Sequence, residues 1–190
     1  TITARVVNTI SQDSNGQCYD ETTINFVVNT VPIANPVPPQ EECDDDTDGL
    51  FAFDTSNIES TILGSQTGLI VKYFDENNVA LPSPLPNPFH TASETIRVRV
   101  ENPIYDVCYE ETTIDFIVRE KPTVRVIDED IICMTNNPQL QIGVENPNTN
   151  YNYTWRDESN MIVGNTANTT IFKGGKYTVI ATSVYGCDSY

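Results

Sequence analysis

The sequence lacks any run of about 18 apolar residues, the length a membrane-spanning helix requires, so no segment of it reads as a transmembrane helix. Basic residues are scarce. Ten Lys and Arg face 27 Asp and Glu, a net charge of -17, which repels nucleic acid phosphates and anionic lipid heads and excludes both as partners. Histidine occurs once, as His90, and no Cys-x-x-Cys pair is present. Without such a ligand set a zinc site is not expected, and His90 has no second His or Cys to form a nucleophile pair. Gly174-Gly175 reads as a turn before a strand rather than a phosphate loop. Carboxylates are abundant, yet nothing places two of them across a cleft in desolvated settings, so no acid–base hydrolysis is expected and the chain reads as non-catalytic.

Against these absences stands a repeat. Cys18-Tyr19-Asp20-Glu21-Thr22-Thr23-Ile24-Asn25-Phe26-Val27-Val28 recurs 90 residues later as Cys108-Tyr109-Glu110-Glu111-Thr112-Thr113-Ile114-Asp115-Phe116-Ile117-Val118, with eight of eleven positions identical. The same offset carries Pro32 onto Pro122 and Cys43 onto Cys133. Upstream, Ile2 to Asn8 matches Ile96 to Asn102 at an offset of 94, so the first copy has four extra residues in its turn, where length changes belong. Each copy reads as a strand, a turn closing on Cys, and a second strand of period-two alternation, which is a β-hairpin. A third first arm, Tyr177 to Ser183, leads into Tyr185-Gly186-Cys187.

The expected organisation is therefore the closing hairpin of one sandwich in residues 1–32, a whole sandwich in 33–121, and a sandwich lacking its last strand in 122–190. Thr1 to Val7 alternates like a strand and not like a signal peptide, so an export signal is expected outside these residues. Pro32, Pro36, Pro38 and Pro39 make the first connector a stiff link or an edge strand. In the middle unit, strands are expected at Leu50–Thr55 and Leu69–Phe74, a helical turn at Asn57–Leu63, and a Pro-rich loop at Leu81–Pro88. In the last, Thr123–Val126 and Ile131–Cys133 read as a kinked first strand, followed by strands at Leu140–Val144, Tyr151–Arg156, Thr169–Phe172 and Lys176–Thr182. Many short strands with regular turns and hardly any helix predict an all-β fold of tandem immunoglobulin-like sandwiches.

The string Glu42-Cys43-Asp44-Asp45-Asp46-Thr47-Asp48-Gly49, the strand Leu50 to Asp54 and the closing Cys108-Tyr109-Glu110-Glu111-Thr112-Thr113 resemble repeats of very large flavobacterial surface proteins. The last unit, with Tyr153-Thr154-Trp155, Gly175 to Val179 and Tyr185-Gly186-Cys187, is similar to their PKD-like and immunoglobulin-like modules. The resemblance implies export by the type IX secretion system, attachment outside the outer membrane, and roles in gliding motility and adhesion. Its partners would be neighbouring repeats of the same polypeptide and surface glycans or proteins. Comparable modules also serve as spacers or carbohydrate-binding units of secreted polysaccharide-degrading enzymes, which is the alternative function.

Three constellations bear on chemistry. Asp44-x-Asp46-x-Asp48-Gly49 has the alternate carboxylates and the turn glycine of a calcium loop. The twelfth position of an EF-hand beginning at Asp44 would be Thr55 where Glu is needed, so that form is excluded. Calcium as a structural cofactor and an acidic turn held by water and Asx hydrogen bonds both remain open. The corresponding Met134-Thr135-Asn136-Asn137 of the last unit lacks carboxylates. Five cysteines in a chain without a zinc pattern point to oxidised pairs in an extracytoplasmic compartment. Bracketing each unit, Cys43 with Cys108 and Cys133 with Cys187, is favoured over neighbour pairing (Cys18 with Cys43, Cys108 with Cys133), cross-domain pairing and free thiols. Trp155 invites a sugar-stacking reading, but a Trp on the third strand of such a sandwich is expected in the core.

Overall fold

A computed structural model of the chain describes residues 1–10, 14, 16–127, 130–133 and 138–189, and strands dominate it. The expected all-β sandwich architecture is present. The acidic-turn counterpart at 134–137 lies outside the described residues.

The chain opens on an antiparallel hairpin of β1 (Ile2–Val7) and β2 (Tyr19–Ile24), in which Ile2 faces Ile24 and Arg5 faces Glu21. The following connector does not hang free. Ile33 N–H donates to Gln66 Oε1 at 2.9 Å, Asn35 N–H to Ile62 O at 3.1 Å, and Ala34 N–H to the Glu110 carboxylate at 3.0 Å. Proline supplies no N–H, so a Pro-rich stretch docks through the amides between its prolines.

The middle unit comprises β3 (Gln40–Cys43), β4 (Phe51–Phe53), helix α1 (Ile58–Leu63), β5 (Ile70–Phe74), β6 (Ala80–Leu81), β7 (Phe89–Thr91), β8 (Glu94–Glu101) and β9 (Tyr109–Arg119). Five strands form one sheet in the order β3-β9-β8-β5-β6, with β4 and β7 pairing separately. Alternation decides the core: Ile96, Val98 and Val100 of β8 and Ile114 and Phe116 of β9 are buried, while Arg97 and Arg99 point outward. Phe53 meets Phe116 edge-on at 4.9 Å, and Ile58 and Ile62, four apart on α1, close the far side with Leu85. The Pro-rich loop is held over the core by Ser83 Oγ on Val71 O (2.6 Å) and Thr55 Oγ1 on Pro86 O (2.8 Å).

The last unit contains β10 (Leu140–Gly143), β11 (Tyr151–Asp157), β12 (Ile162–Gly164), β13 (Asn168–Ile171) and β14 (Tyr177–Ser183). They pair as β10-β13 and β12-β11-β14 around Val144, Tyr153, Trp155 and Ala181. The expected kinked first strand does not form as a strand among the described residues: Val126 makes a lone bridge to Val144, and 131–133 are irregular. Asn146 takes the edge there, accepting Arg125 N–H (2.7 Å) and donating to Thr123 O (3.0 Å), so a side chain replaces ladder bonds. After Cys187 the chain turns back on β14, with Asp188 bridging Thr182.

The hairpins β1–β2 and β8–β9 share one pairing scheme. Ile96 faces Ile114 as Ile2 faces Ile24, and Arg99 faces Glu111 as Arg5 faces Glu21. In each, the arginine also lies over a tyrosine ring, Tyr19 at 4.3 Å and Tyr109 at 3.6 Å. Their surroundings differ: Val6 is 75% exposed where its counterpart Val100 is 0%.

Candidate functional site at the disulfide joint

Where the middle unit meets the last, two elements converge. β3 is polar (Gln40-Glu41-Glu42-Cys43) and runs parallel to β9 as the sheet's edge, with Gln40 opposite Phe116 and Cys43 opposite Arg119. Pairing extends one residue further through Asp44 N–H on Arg119 O, 2.9 Å. From the other side, β14 leads into a tight turn at 184–187. Ser183 N–H donates to Cys187 O (2.8 Å), Ser183 Oγ accepts Cys187 N–H (3.2 Å), and Gly186 at φ 85° takes a conformation that side chains resist. These two scaffolds bring Cys43 and Cys187 to a Cα–Cα distance of 5.6 Å, and a disulfide joins them across 144 residues of sequence.

Around the bond, the Arg119 guanidinium lies 3.9 Å from the Tyr185 ring centroid and its Nε is 2.6 Å from Glu41. That hydrogen bond holds the Glu41 carboxyl below its ordinary pKa and raises that of Arg119. Lys121 Nζ donates to Asp45 O at 2.9 Å, binding the connector to the same corner.

The favoured pairings are therefore corrected: Cys43 is joined neither to Cys108 nor to Cys18, and Cys187 is not joined to Cys133. The reason is strand direction. Because β3 is parallel to β9, Cys43 sits beside Arg119, whereas Cys108 precedes Tyr109 at the opposite end of an 11-residue strand. At about 3.3 Å per residue that is over 30 Å, several times what a disulfide spans. Cys133 is exposed and Cys108 partly so. Cross-domain pairing, one of the alternatives that the sequence left open, is the one Cys43 and Cys187 adopt.

Residues 39–122, from the head of β3 to the connector beyond β9, match a family model described as the Flavobacterium inter-domain disulphide bond domain. This segment resembles that family. No curated protein matches the chain. That description accords with a bond that runs from Cys43, inside the matched residues, to Cys187, beyond them.

Beside Cys43, within the matched segment, is the acidic turn. One oxygen from each of Asp44, Asp46 and Asp48 lies within 4.8 Å of the others. Asp44 is buried, and its oxygens accept amides of Asp46 (3.2 Å), Thr47 (2.7 Å) and Gly49 (2.8 Å). Burial disfavours the charge, but the three amides and nearby Lys121 outweigh it and hold the carboxyl below its ordinary value. Thr47 (φ 74°) and Gly49 (φ 80°) both take the left-handed region, so the turn is closed by one carboxylate wrapped in backbone N–H groups.

Trp155, 3% exposed, donates through Nε1 to Thr166 O at 3.0 Å and belongs to the core. His90 lies exposed on β7. The joint residues that sequence reasoning missed are Glu41, Arg119 and Tyr185. Arg119 corresponds to Asn29 at the repeat offset, so self-comparison does not flag it; Tyr185 stands two residues before Cys187, and that adjacency was the available signal.

Proposed function

We propose that this chain is a non-catalytic stretch of the extracellular stalk of a bacterial surface adhesin, exported by the type IX secretion system and supporting adhesion or gliding by projecting a distal binding region. The observation that carries this reading is the doubly tied joint. Two units connected only by a flexible chain would swing; here the connector and the Cys43–Cys187 bond cross the same boundary, with Arg119 against Tyr185 between them. Residues 33 and 34, just beyond the first hairpin, are likewise fixed to the middle unit. Surface acidity suits a module that stands away from anionic lipid, and no helix among the described residues is long and apolar enough to cross a membrane.

The test is an in-frame deletion of this segment from the native protein in its own cells. Export that persists, with adhesion or gliding reduced and the remaining protein cleaved by external protease, supports the reading; unchanged adhesion and gliding overturn it. The rival reading, a carbohydrate-binding unit of a secreted hydrolase, would need a sugar-stacking surface, and the burial of Trp155 removes the residue sequence offered for it. Reproducible glycan-array binding by the chain would favour that rival.

A further inference from the structure

Both connectors enter the following unit in the same way. Pro32 and Pro122, equivalent at the repeat offset, are buried, and the residue after each, Ile33 or Thr123, is exposed. A buried backbone position ordinarily has an N–H to satisfy; proline has none and its φ is fixed, so it can be sunk into a joint without stranding a donor. The exposed residue that follows is then gripped by its backbone, through a side-chain carboxamide of the unit ahead. Gln66 Oε1 accepts Ile33 N–H at 2.9 Å while its Nε2 donates to Ile33 O at 2.7 Å. Asn146 Nδ2 donates to Thr123 O at 3.0 Å while its Oδ1 accepts Arg125 N–H at 2.7 Å. The two amides do not come from equivalent positions, because the repeat offset carries Gln66 onto Arg156 and Asn146 back onto Ser56. One backbone point is thus held from two unrelated places, which the likeness of the units does not explain and a shared requirement at the joint does. Each amide is itself anchored. Gln66 Nε2 also donates to Leu63 O (3.0 Å), beside Ile62 O, which accepts both the backbone and the side-chain N–H of Asn35 (3.1 and 2.9 Å), so carbonyls at the end of α1 seat the connector. Glu145 N–H donates to Arg125 O (2.8 Å), so Asn146 extends a backbone pairing.

We propose that Gln66 and Asn146 are the positioning residues of the two joints, each fixing the point and direction at which the chain enters its unit. At the second joint only residues 120–122 lie between the end of β9 and Thr123, and Lys121 Nζ on Asp45 O ties that link to the middle unit. The orientation of the last unit on the middle one is therefore set by Asn146 and the short link with its buried proline, and the Cys43–Cys187 bond retains a geometry that exists without it. At the first joint residues 25–32 separate β2 from Ile33, so Gln66 governs the entry to the middle unit alone. The inference rests on the likeness of the two clamps and not on the adhesive reading; it holds equally for a spacer.

The experiment is nuclear magnetic resonance of the 190-residue chain in a weakly aligning medium, where residual dipolar couplings show whether the middle and last units share one orientation. Wild type is expected to give a single alignment for both units when oxidised and again when reduced. Reduced Asn146→Leu is expected to give two alignments, while the Ile114 amide and the Trp155 indole keep their shifts, a separation of the units that a role in local stability alone would not produce. Two alignments in reduced wild type, which would make the disulfide the element that sets the geometry, or one alignment in reduced Asn146→Leu overturns the proposal. Should that variant unfold the last unit, Asn146→Asp, which keeps the acceptor for Arg125 N–H and loses the donor to Thr123 O, is measured in its place with the same two outcomes. At the first joint hydrogen exchange reports the clamp directly. Gln66→Leu is expected to speed exchange of the Ile33 amide about tenfold while the Ile114 amide stays as slow as in wild type, and an Ile33 amide no faster than before overturns the proposal there.

Discussion

The hairpins β1–β2 and β8–β9 have the same register, the same arginine–glutamate pair and the same arginine over tyrosine, yet one is bare and the other sealed. Ile24 is 48% exposed where Ile114 is 0%. Local sequence, through cross-strand pairs, is enough to specify pairing. It does not by itself make a stable unit, because two strands alone bury too little apolar surface. In the middle unit β4, β5, α1 and Leu85 cover the inner face, and the free energy of folding comes from that layer.

The sharpest way to break this comparison is one substitution made twice. Phe116→Ala removes a ring packed between Phe53 and Phe89 and is expected to cost about 3–5 kcal/mol, read from urea unfolding. Phe26→Ala at the equivalent exposed position should stay within about 0.5 kcal/mol. Equal losses would mean that the first hairpin is covered in solution.

Next in size is the joint. Cys43→Ser, or reduction of the wild type, is expected to lower stability by roughly 2–4 kcal/mol, with the last unit melting first in calorimetry because its core is the small cluster of Val144, Tyr153, Trp155 and Ala181. A middle unit that melts first would invert the assignment.

A smaller effect attaches to the Asp44 turn. Its folded pKa lies below the ordinary 3.8, so the stability it contributes is present above that value and is lost as pH falls through the folded pKa. Acid titration of the wild type should show this loss below about pH 4, and Asp44→Asn should flatten it; an unchanged acid limb would place the effect elsewhere. A calcium titration of the same turn separates its two open readings. A rise in melting temperature that Asp46→Asn abolishes assigns an ion to the three carboxylates, and an unchanged melt leaves the turn to its amides.

Smallest is the arginine pair. Arg5→Ala and Arg99→Ala remove the corresponding arginine from the two hairpins and should speed amide exchange in both by similar factors. A much larger change at Arg99 would show that burial strengthens a pair that looks identical.

What was legible in the sequence follows from the range of the interactions concerned. β8 and β9 could be read because Ile96, Val98, Val100, Ile114 and Phe116 alternate with polar residues, and α1 because Ile58 and Ile62 are spaced for one face. β3 could not, since Gln40-Glu41-Glu42-Cys43 has no apolar alternation and owes its extended form to the edge of β9. The acidic turn was recognisable from its carboxylate spacing, whereas its closure through Asp44 required coordinates. The cysteine partners depended on strand direction and on the packing of two units, neither of which is written in local sequence.

The bond across 144 residues also determines where tension can travel. A chain pulled from both ends transmits load from β3 through the sulfur atoms directly into the last turn. The polypeptide between Cys43 and Cys187 is thereby shielded, and its contour, about 500 Å when drawn out at ~3.5 Å per residue for a separation of 144, stays hidden under oxidising conditions. Single-molecule extension should gain that length only after reduction, so the joint is also a safety line that keeps a loaded module from being unravelled.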